Sequence, residues 1–205
     1  MPDSIQGFID KNMFYRREIW TFILIFICAS ANSVEVLSVH VESEGKRYRM
    51  LGESVIQAPP EFIFNTLMDY DNFHRLASGI AETRFLESDN PDELLGYTRI
   101  DSCLLFFCKS VEKVETIHAT EFREIATEAI PEQSDFIFNR SRWLLESRDE
   151  GTLVTYEAEM EPDFWMPPLI TKWAIRHKLR KSAELIGMRI EYLLEKGIAL
   201  EDVSE

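Results

Sequence analysis

From Glu82 to Glu161 the chain reads as one strand after another, and it then ends in a single long helix. The segments "ETRFLES", "YTRIDSCLL", "CKSVEKVETIH", "EFREIATEAI", "DFIFNRSRWLLESR" and "TLVTYEAEME" are rich in β-formers, and breakers or charged turns separate most of them. Strands joined this closely pair as an antiparallel meander. After Pro168 there is no further proline up to Lys196, and Leu179, Ala183, Ile186, Ile190, Leu193 and Leu194 recur at helical spacing. Gly197 is a natural stop. A block of strands followed by one long amphipathic helix predicts an α+β domain, with the helix lying across an antiparallel sheet.

The residues before the meander fit this frame. "SVEVLSVHVE" (33–42) alternates apolar and polar positions, "SEGK" is a turn, and "RYRMLGESVIQA" (47–58) returns as a second strand. "APP" then ends the hairpin, and "EFIFNTLMDY" continues as a short helix, since proline is tolerated in a first helical turn. "NFHRLASGI" reads as a second short helix or turn.

The first residues read as a leader. Arg16 and Arg17 precede the apolar run Ile19–Ala29, and Ala29-Ser30-Ala31 has the small-residue cleavage pattern of a secretory signal. The run is short of the ~20 apolar residues of a membrane span, although an uncleaved anchor is the alternative. Residues 1–31 are therefore expected to be a signal peptide, with Met13 as an alternative start of translation. Residues 32–200 would form a single domain and 201–205 an acidic tail. Cleavage near Ala31 would deliver the protein outside the cytoplasm, to a bacterial periplasm. A composition of 45% hydrophobic and 28% charged residues suffices for a core. The net charge of −14 argues against nucleic acid as a partner, because phosphate binding needs clustered Lys and Arg. The leader holds three acids (Asp3, Asp10, Glu18) and three bases (Lys11, Arg16, Arg17), so its loss leaves that charge unchanged.

Leader removal also takes Cys28 away and leaves Cys103 and Cys108. An even count in an oxidising compartment favours a disulfide. On one straight strand these residues would stand ~16 Å apart, whereas a disulfide needs Cα atoms within ~7 Å. A bridge thus requires "LLFF" to be a four-residue hairpin tip of Leu104, Leu105, Phe106 and Phe107. The tip lacks Gly, Asn, Asp and Pro, which make turns easy. The alternative is one continuous buried strand with two free thiols. In the hairpin, the apolar tip would be a contact surface.

The start of the long helix carries a local basic cluster. Lys172, Arg176 and Arg180 fall at i, i+4 and i+8, with Lys178 and Lys181 beside them and Trp165 and Trp173 nearby. The stripe would meet anionic headgroups, or it is a solvated face paired with acidic neighbours. His40, His74, His118 and His177 lack metal-ligand spacing, and no serine elbow or phosphate loop is present. Neither a metal nor a cofactor is expected. Asp69 and Asp71 read more simply as a helix end and turn than as an acid/base pair.

Three stretches carry a resemblance. "VIQAPPEFIFNTLMDYDNFHRL" resembles the strand-to-helix entry of the START-like, or SRPBCC, superfamily. "RSRWLLESRDEGTLVTYEAEMEP" resembles its late hairpin, and "FWMPPLITKWAIRHKLRKSAELIGMRIE" the start of its C-terminal helix. Over roughly residues 47–196 the chain is similar to the polyketide cyclase/dehydrase and coenzyme Q-binding branch. That resemblance implies a helix-grip fold, with the sheet wrapped around the long helix and a cavity between them for an apolar ligand such as a lipid, quinone or polyketide. A family hairpin near Cys103 points towards the bridge.

Strand alternation puts Val154, Tyr156, Ala158 and Met160 on one face and Trp143 with Leu145 on an inner face, leaving Arg140 and Arg142 to solvent. The expected cavity lining is Trp143, Tyr156, Ala158, Met160, Ile170, Trp173 and Ile186, with the 104–107 tip as a lid or membrane-contact element. The favoured function is binding, and transport or sequestration, of a hydrophobic small molecule or lipid by a monomer, with transient membrane contact. A cyclase/dehydratase using Tyr156 or a pocket acid as proton donor is the second reading. A docking module working through the tip is the third.

Overall fold

The structure, a computed structural model, describes residues 34–104, 106–166 and 172–203. The expected leader, and Ile170 of the expected lining, lie outside the described residues. Strands β1 (Glu35–Glu44) and β2 (Arg47–Ile56) form a hairpin whose turn holds Gly45 at φ 60°. Pro60 then opens α1 (Pro60–Met68), where its missing N–H costs nothing, and α1 buries Ile63, Phe64 and Leu67. A 3-10 helix follows at Tyr70–Arg75. The meander comprises β3 (Ile80–Leu86), β4 (Leu94–Leu104), β5 (Phe107–Thr120), β6 (Glu124–Ser134), β7 (Phe136–Arg148) and β8 (Gly151–Pro162).

The sheet order is β1-β2-β8-β7-β6-β5-β4-β3 with every neighbour antiparallel. The connection through α1 and the 3-10 helix carries the chain from β2 to the far edge. The meander then walks back until β8 pairs with β2. The long helix α2 (Lys172–Lys196) lies against β1 and β2. Its Ile186, Ile190 and Leu193 enter one core with Ile63 and Leu67 of α1 and with Ile56, Ile117, Ile125, Leu145 and Val154 of the sheet. This is the expected α+β helix-grip arrangement, with two short helices after the first strands. α2 also ends where expected. Gly197 takes φ 63°, and the Ile198 N–H donates to the Leu193 carbonyl at 3.3 Å, a six-to-one closure that favours glycine.

Two local expectations are corrected. Strand β6 starts at Glu124, after a turn in which Phe122 adopts φ 58°, and it runs past Pro131 to Ser134. Proline is tolerated there because the β5–β6 register breaks between Lys113 and Glu115, so no ladder donor is required of it. The hairpin tip is shorter than four residues. β4 and β5 pair through Cys103↔Cys108 and on to Leu104↔Phe107, leaving two residues in the turn. Cys103 and Cys108 are disulfide-bonded with Cα atoms 4.0 Å apart, on the solvent face of the sheet. Near the end of the described residues, Leu200 is buried and Val203 packs on the core. The Arg75 guanidinium donates to the carbonyls of Glu201 and Val203.

Two glycines on the cavity side of the sheet separate space from strain. A Cβ at Gly96 would stand 2.6 Å from the Tyr70 ring, whereas one at Gly52 meets nothing within 4 Å. Gly96→Ala is expected to lower the melting temperature by about 4–8 °C, from overpacking of ~2 kcal/mol. Gly52→Ala serves as the control and should leave it within ~2 °C; calorimetry of the pair checks this. Closing so short a loop stabilises by about 2 kcal/mol in the chain-entropy account. The Cys103→Ser/Cys108→Ser double variant should therefore unfold at lower denaturant by that amount while keeping its fold by circular dichroism.

Candidate functional site

The concave face of the sheet, α1, the 3-10 helix and α2 enclose a cavity of about 280 Å3. Its wall is apolar along Ile56, Ile117, Ile125, Val154 and Ile186. Trp143 and Tyr156 pair across β7 and β8, with ring centroids 4.5 Å apart, and both line it. From α2 come Lys178, Leu179, Ser182, Ala183 and Ile186. These positions recur at three- and four-residue spacing and form one face of the helix.

The polar part of the wall begins on β5. Lys113 and Glu115 lie two residues apart between Val111 and Ile117, so alternation turns both inward. Lys113 Nζ donates to Glu115 Oε2 at 2.5 Å, and the two side chains are 12% and 4% exposed. The Tyr70 hydroxyl donates to Glu115 Oε1 at 2.7 Å and stands 2.6 Å from Thr98 Oγ1. Lys113 also reaches Asn139 Oδ1 at 3.4 Å. The hydroxyls of Thr127 and Ser141, 3.0 Å apart, continue this polar strip towards Tyr156. At another part of the wall, Lys178 donates to the Ser102 hydroxyl beside Gly79.

Titration follows from this geometry. Burial alone would raise the Glu115 carboxyl, but the Lys113 charge and the donors from Lys113, Tyr70 and Thr127 outweigh it and hold the pKa below the ordinary value. Burial first, then the Glu115 charge, pushes the Tyr156 hydroxyl up to about 12, against a smaller opposing contribution from Ser141. Burial and Glu115 likewise raise Tyr70. Burial lowers Lys178. The Glu115 carboxylate is a saturated acceptor, and Tyr156 is a weak acid. The polar strip can orient a ligand by hydrogen bonds, but neither of these two groups is tuned to exchange a proton near neutrality.

Of the residues expected from the sequence, Trp143, Tyr156 and Ile186 are on the cavity wall. Ala158 and Met160 are corrected. They lie farther along β8, opposite Met50 and Tyr48, beyond the cavity. Trp173 is also corrected, because it is 63% exposed and stacked on His177 at 5.5 Å. In the tip, Phe106 is 71% exposed, but Phe107 turns inward onto the cluster of Val41 and Ile175 and meets Trp165 edge-on at 6.4 Å. Leu105 lies outside the described residues, and of Leu104 only the backbone pairing is described.

Lys172, Arg176 and Arg180 are exposed along one stripe of α2, as the spacing predicts, with Lys181 adjoining it. They form no ion pair among the described residues. Arg140 and Arg142 face solvent, paired with Glu159 and Glu157. Asp69 accepts from Asn72 within a local turn, and Asp71 accepts the Phe85 N–H at 2.8 Å, which ties the 3-10 helix to β3. Among the described residues no three His, Cys, Asp or Glu side chains converge as a metal site, and no helix is long and apolar enough to cross a membrane.

Sequence reasoning missed Tyr70, Thr98, Lys113 and Glu115, and it set Lys178 in the basic cluster of the helix, whereas that residue lines the cavity. A signal for two of them was present. In "SVEKVETI" the face that carries Val111 and Ile117 also carries Lys113 and Glu115, opposite charges placed where apolar residues belong.

An antiparallel sheet gripping a long C-terminal helix around a largely apolar cavity defines a START-like domain. The family model described as polyketide cyclase / dehydrase and lipid transport matches residues 56–184, and this chain belongs to that family. Solved structures share the fold. A STAR-related lipid transfer protein fragment from Xanthomonas axonopodis superposes with a TM-score of 0.56 at 16% identity, covering 80% of this chain and 99% of that one. A START superfamily protein from Mycobacterium smegmatis gives 0.54 at 20% identity, covering 72% and 98%. The Zhui aromatase/cyclase from Streptomyces sp. R1128 gives 0.51 at 12% identity, covering 72% and 96%. No curated protein matches in sequence.

Stability should report the buried pair. Glu115→Gln leaves the Lys113 ammonium unpaired, which costs about 3–5 kcal/mol. The double variant Glu115→Gln/Lys113→Met should recover part of that loss in a denaturant cycle. Because the folded pKa of Glu115 is depressed, its contribution is full above the ordinary value of 4.5 and is lost as pH falls through the folded pKa. Stability of the double variant should therefore fall less steeply than that of the wild type below that pH.

Proposed function

We propose that the protein binds one small, mostly apolar ligand in its cavity and carries or sequesters it, rather than transforming it. The observation that carries this reading is the cavity itself: largely apolar, and with its acid and its tyrosine held away from neutral pKa values. A cyclase or dehydratase needs a group that gives or takes a proton. Glu115 is saturated by donors and Tyr156 is too weak an acid for that role. The family's printed description names lipid transport beside polyketide cyclase and dehydrase, so it is compatible with both readings, and the Xanthomonas relative, described as a lipid transfer protein, supports the carrier.

Release at a bilayer is part of this proposal. Phe106 and Trp165 are 71% and 68% exposed. Phe107 links the hairpin both to Trp165 and to the cluster that includes Ile175 of α2. The same end of α2 presents Trp173, Lys172, Arg176 and Arg180. Aromatic residues beside unpaired cations suit an anionic lipid surface, and in a chain of net charge −14 they stand apart from the rest. The leader-like segment and the solvent-facing disulfide support action in an oxidising compartment outside the cytoplasm.

Native mass spectrometry of the protein isolated from its own compartment, without reductant, tests the core of this reading. The expected spectrum has one retained apolar ligand, the mass of a chain cut near Ala31 and two hydrogens missing at the bridge. The ligand should leave on addition of anionic liposomes, and more slowly from a Phe106→Ser/Trp165→Ser variant. An empty protein, or a ligand chemically altered on incubation, would instead turn the assignment to the docking module or the enzyme.

A further inference from the structure

The charges on the cavity wall do not cancel. Among the described residues three ionised side chains line it: Lys113, Glu115 and Lys178. Lys113 and Glu115 neutralise one another at 2.5 Å. Lys178 makes no ion pair among the described residues, and its hydrogen bond is to the neutral hydroxyl of Ser102. Asp101, next to Ser102 on β4, points to the opposite face and accepts from Ser110 at 2.5 Å. The wall thus keeps one uncompensated positive charge, inside a chain whose net charge is −14. A partly desolvated ammonium without a counter-ion is costly, and an anion arriving from solvent removes that cost. Burial already lowers the Lys178 pKa, as expected for a cation that lacks its partner.

Space and orientation agree. Gly79 has no side chain over this ammonium; a Cβ there would stand 3.5 Å from Nζ. Thr98, which belongs to the Glu115 network, and Ser102, which holds Lys178, are four residues apart on β4, or about 13 Å. A molecule with one charged end and an apolar body spans that separation along the wall. The volume of about 280 Å3 sits just below the usual range of ligand pockets, roughly 300–1,000 Å3, and so favours a compact ligand over a two-tailed lipid.

We propose that the ligand is a compact amphipathic anion, a carboxylate on a single apolar chain or ring system. Its charged end pairs with Lys178 and its body lies along Ile117, Val154 and Trp143. This rests on the cavity being a ligand site, as proposed above, and it adds the ligand's charge, its size and the residue that reads it.

Isothermal titration of the purified protein, stripped of co-purified ligand on a hydrophobic resin, tests it with two matched pairs of probes. These are decanoate against decanamide, and 2-naphthoate against 2-naphthamide. In at least one pair the acid should bind roughly tenfold more tightly than its neutral amide, the worth of one charge-assisted hydrogen bond. Which pair does so separates a fatty acid from an aromatic acid. Lys178→Met should erase that preference by weakening the acid alone and leaving the amide within about twofold, while Lys178→Arg should keep it. Equal binding of acid and amide to the wild type would overturn the assignment of an anion while leaving the cavity a ligand site. A Lys178→Met variant that weakens both alike would overturn the role of Lys178. If none of the four probes binds, both this inference and the carrier reading fall.

Discussion

One helix covers the concave face of eight strands, and what its covering face is made of decides where the protein is solid and where it is hollow. Towards its C-terminus α2 drives Ile186, Ile190 and Leu193 into the core, and the last two are among the most deeply buried side chains in the domain. One and two turns earlier the same face offers Ala183, Ser182, Leu179 and Lys178. Alanine and serine do not reach the sheet, so the layers stay apart and the space between them remains. The core and the cavity are therefore two halves of one helix face, distinguished by side-chain size.

The sheet side of that space is organised by a charged pair. Replacing a buried ion pair by apolar residues is often neutral or stabilising, so Lys113 and Glu115 are poorly explained as a stability device. Their effect here is positional. Glu115 anchors Tyr70, and Tyr70 can approach only because Gly96 beneath its ring has no Cβ. A chain of contacts thus runs from β5 to the 3-10 helix and fixes one end of the cavity. The opposite charges of the pair cancel, which leaves Lys178 as the charge that a ligand meets.

Much of the architecture was legible in the residues because it rests on periodicity. Alternation from Glu82 onward and helical spacing after Pro168 were enough to give the layers, and "APP" and Gly197 marked two of the boundaries. Geometry made plain what a disulfide would require, since two cysteines five residues apart can meet only across a reversal, but it left a continuous strand with free thiols as the alternative. The length of that reversal was not legible, since register continues through Leu104 and Phe107 without any turn residue to announce it. Parity found Trp143, Tyr156 and Ile186 but could not say how far along a strand the cavity extends, which is why Ala158 and Met160 fall beyond it. Trp173 was misassigned because amphipathic spacing near a helix end gives the period more firmly than the phase. The polar network joins residues from β4, β5 and the 3-10 helix, and only folding brings Tyr70 to Glu115.

The docked C-terminus has a practical meaning. The Arg75 guanidinium is held by the carbonyls of Glu201 and Val203, and the Arg75 carbonyl by Arg189 of α2. Arg75 ends the same 3-10 helix that Tyr70 begins. The last turn of the chain is therefore mechanically next door to the ligand space although it lines none of it. A fluorophore placed there would sit at a listening post, sensing occupancy through one short helix without occupying any of the room the ligand needs.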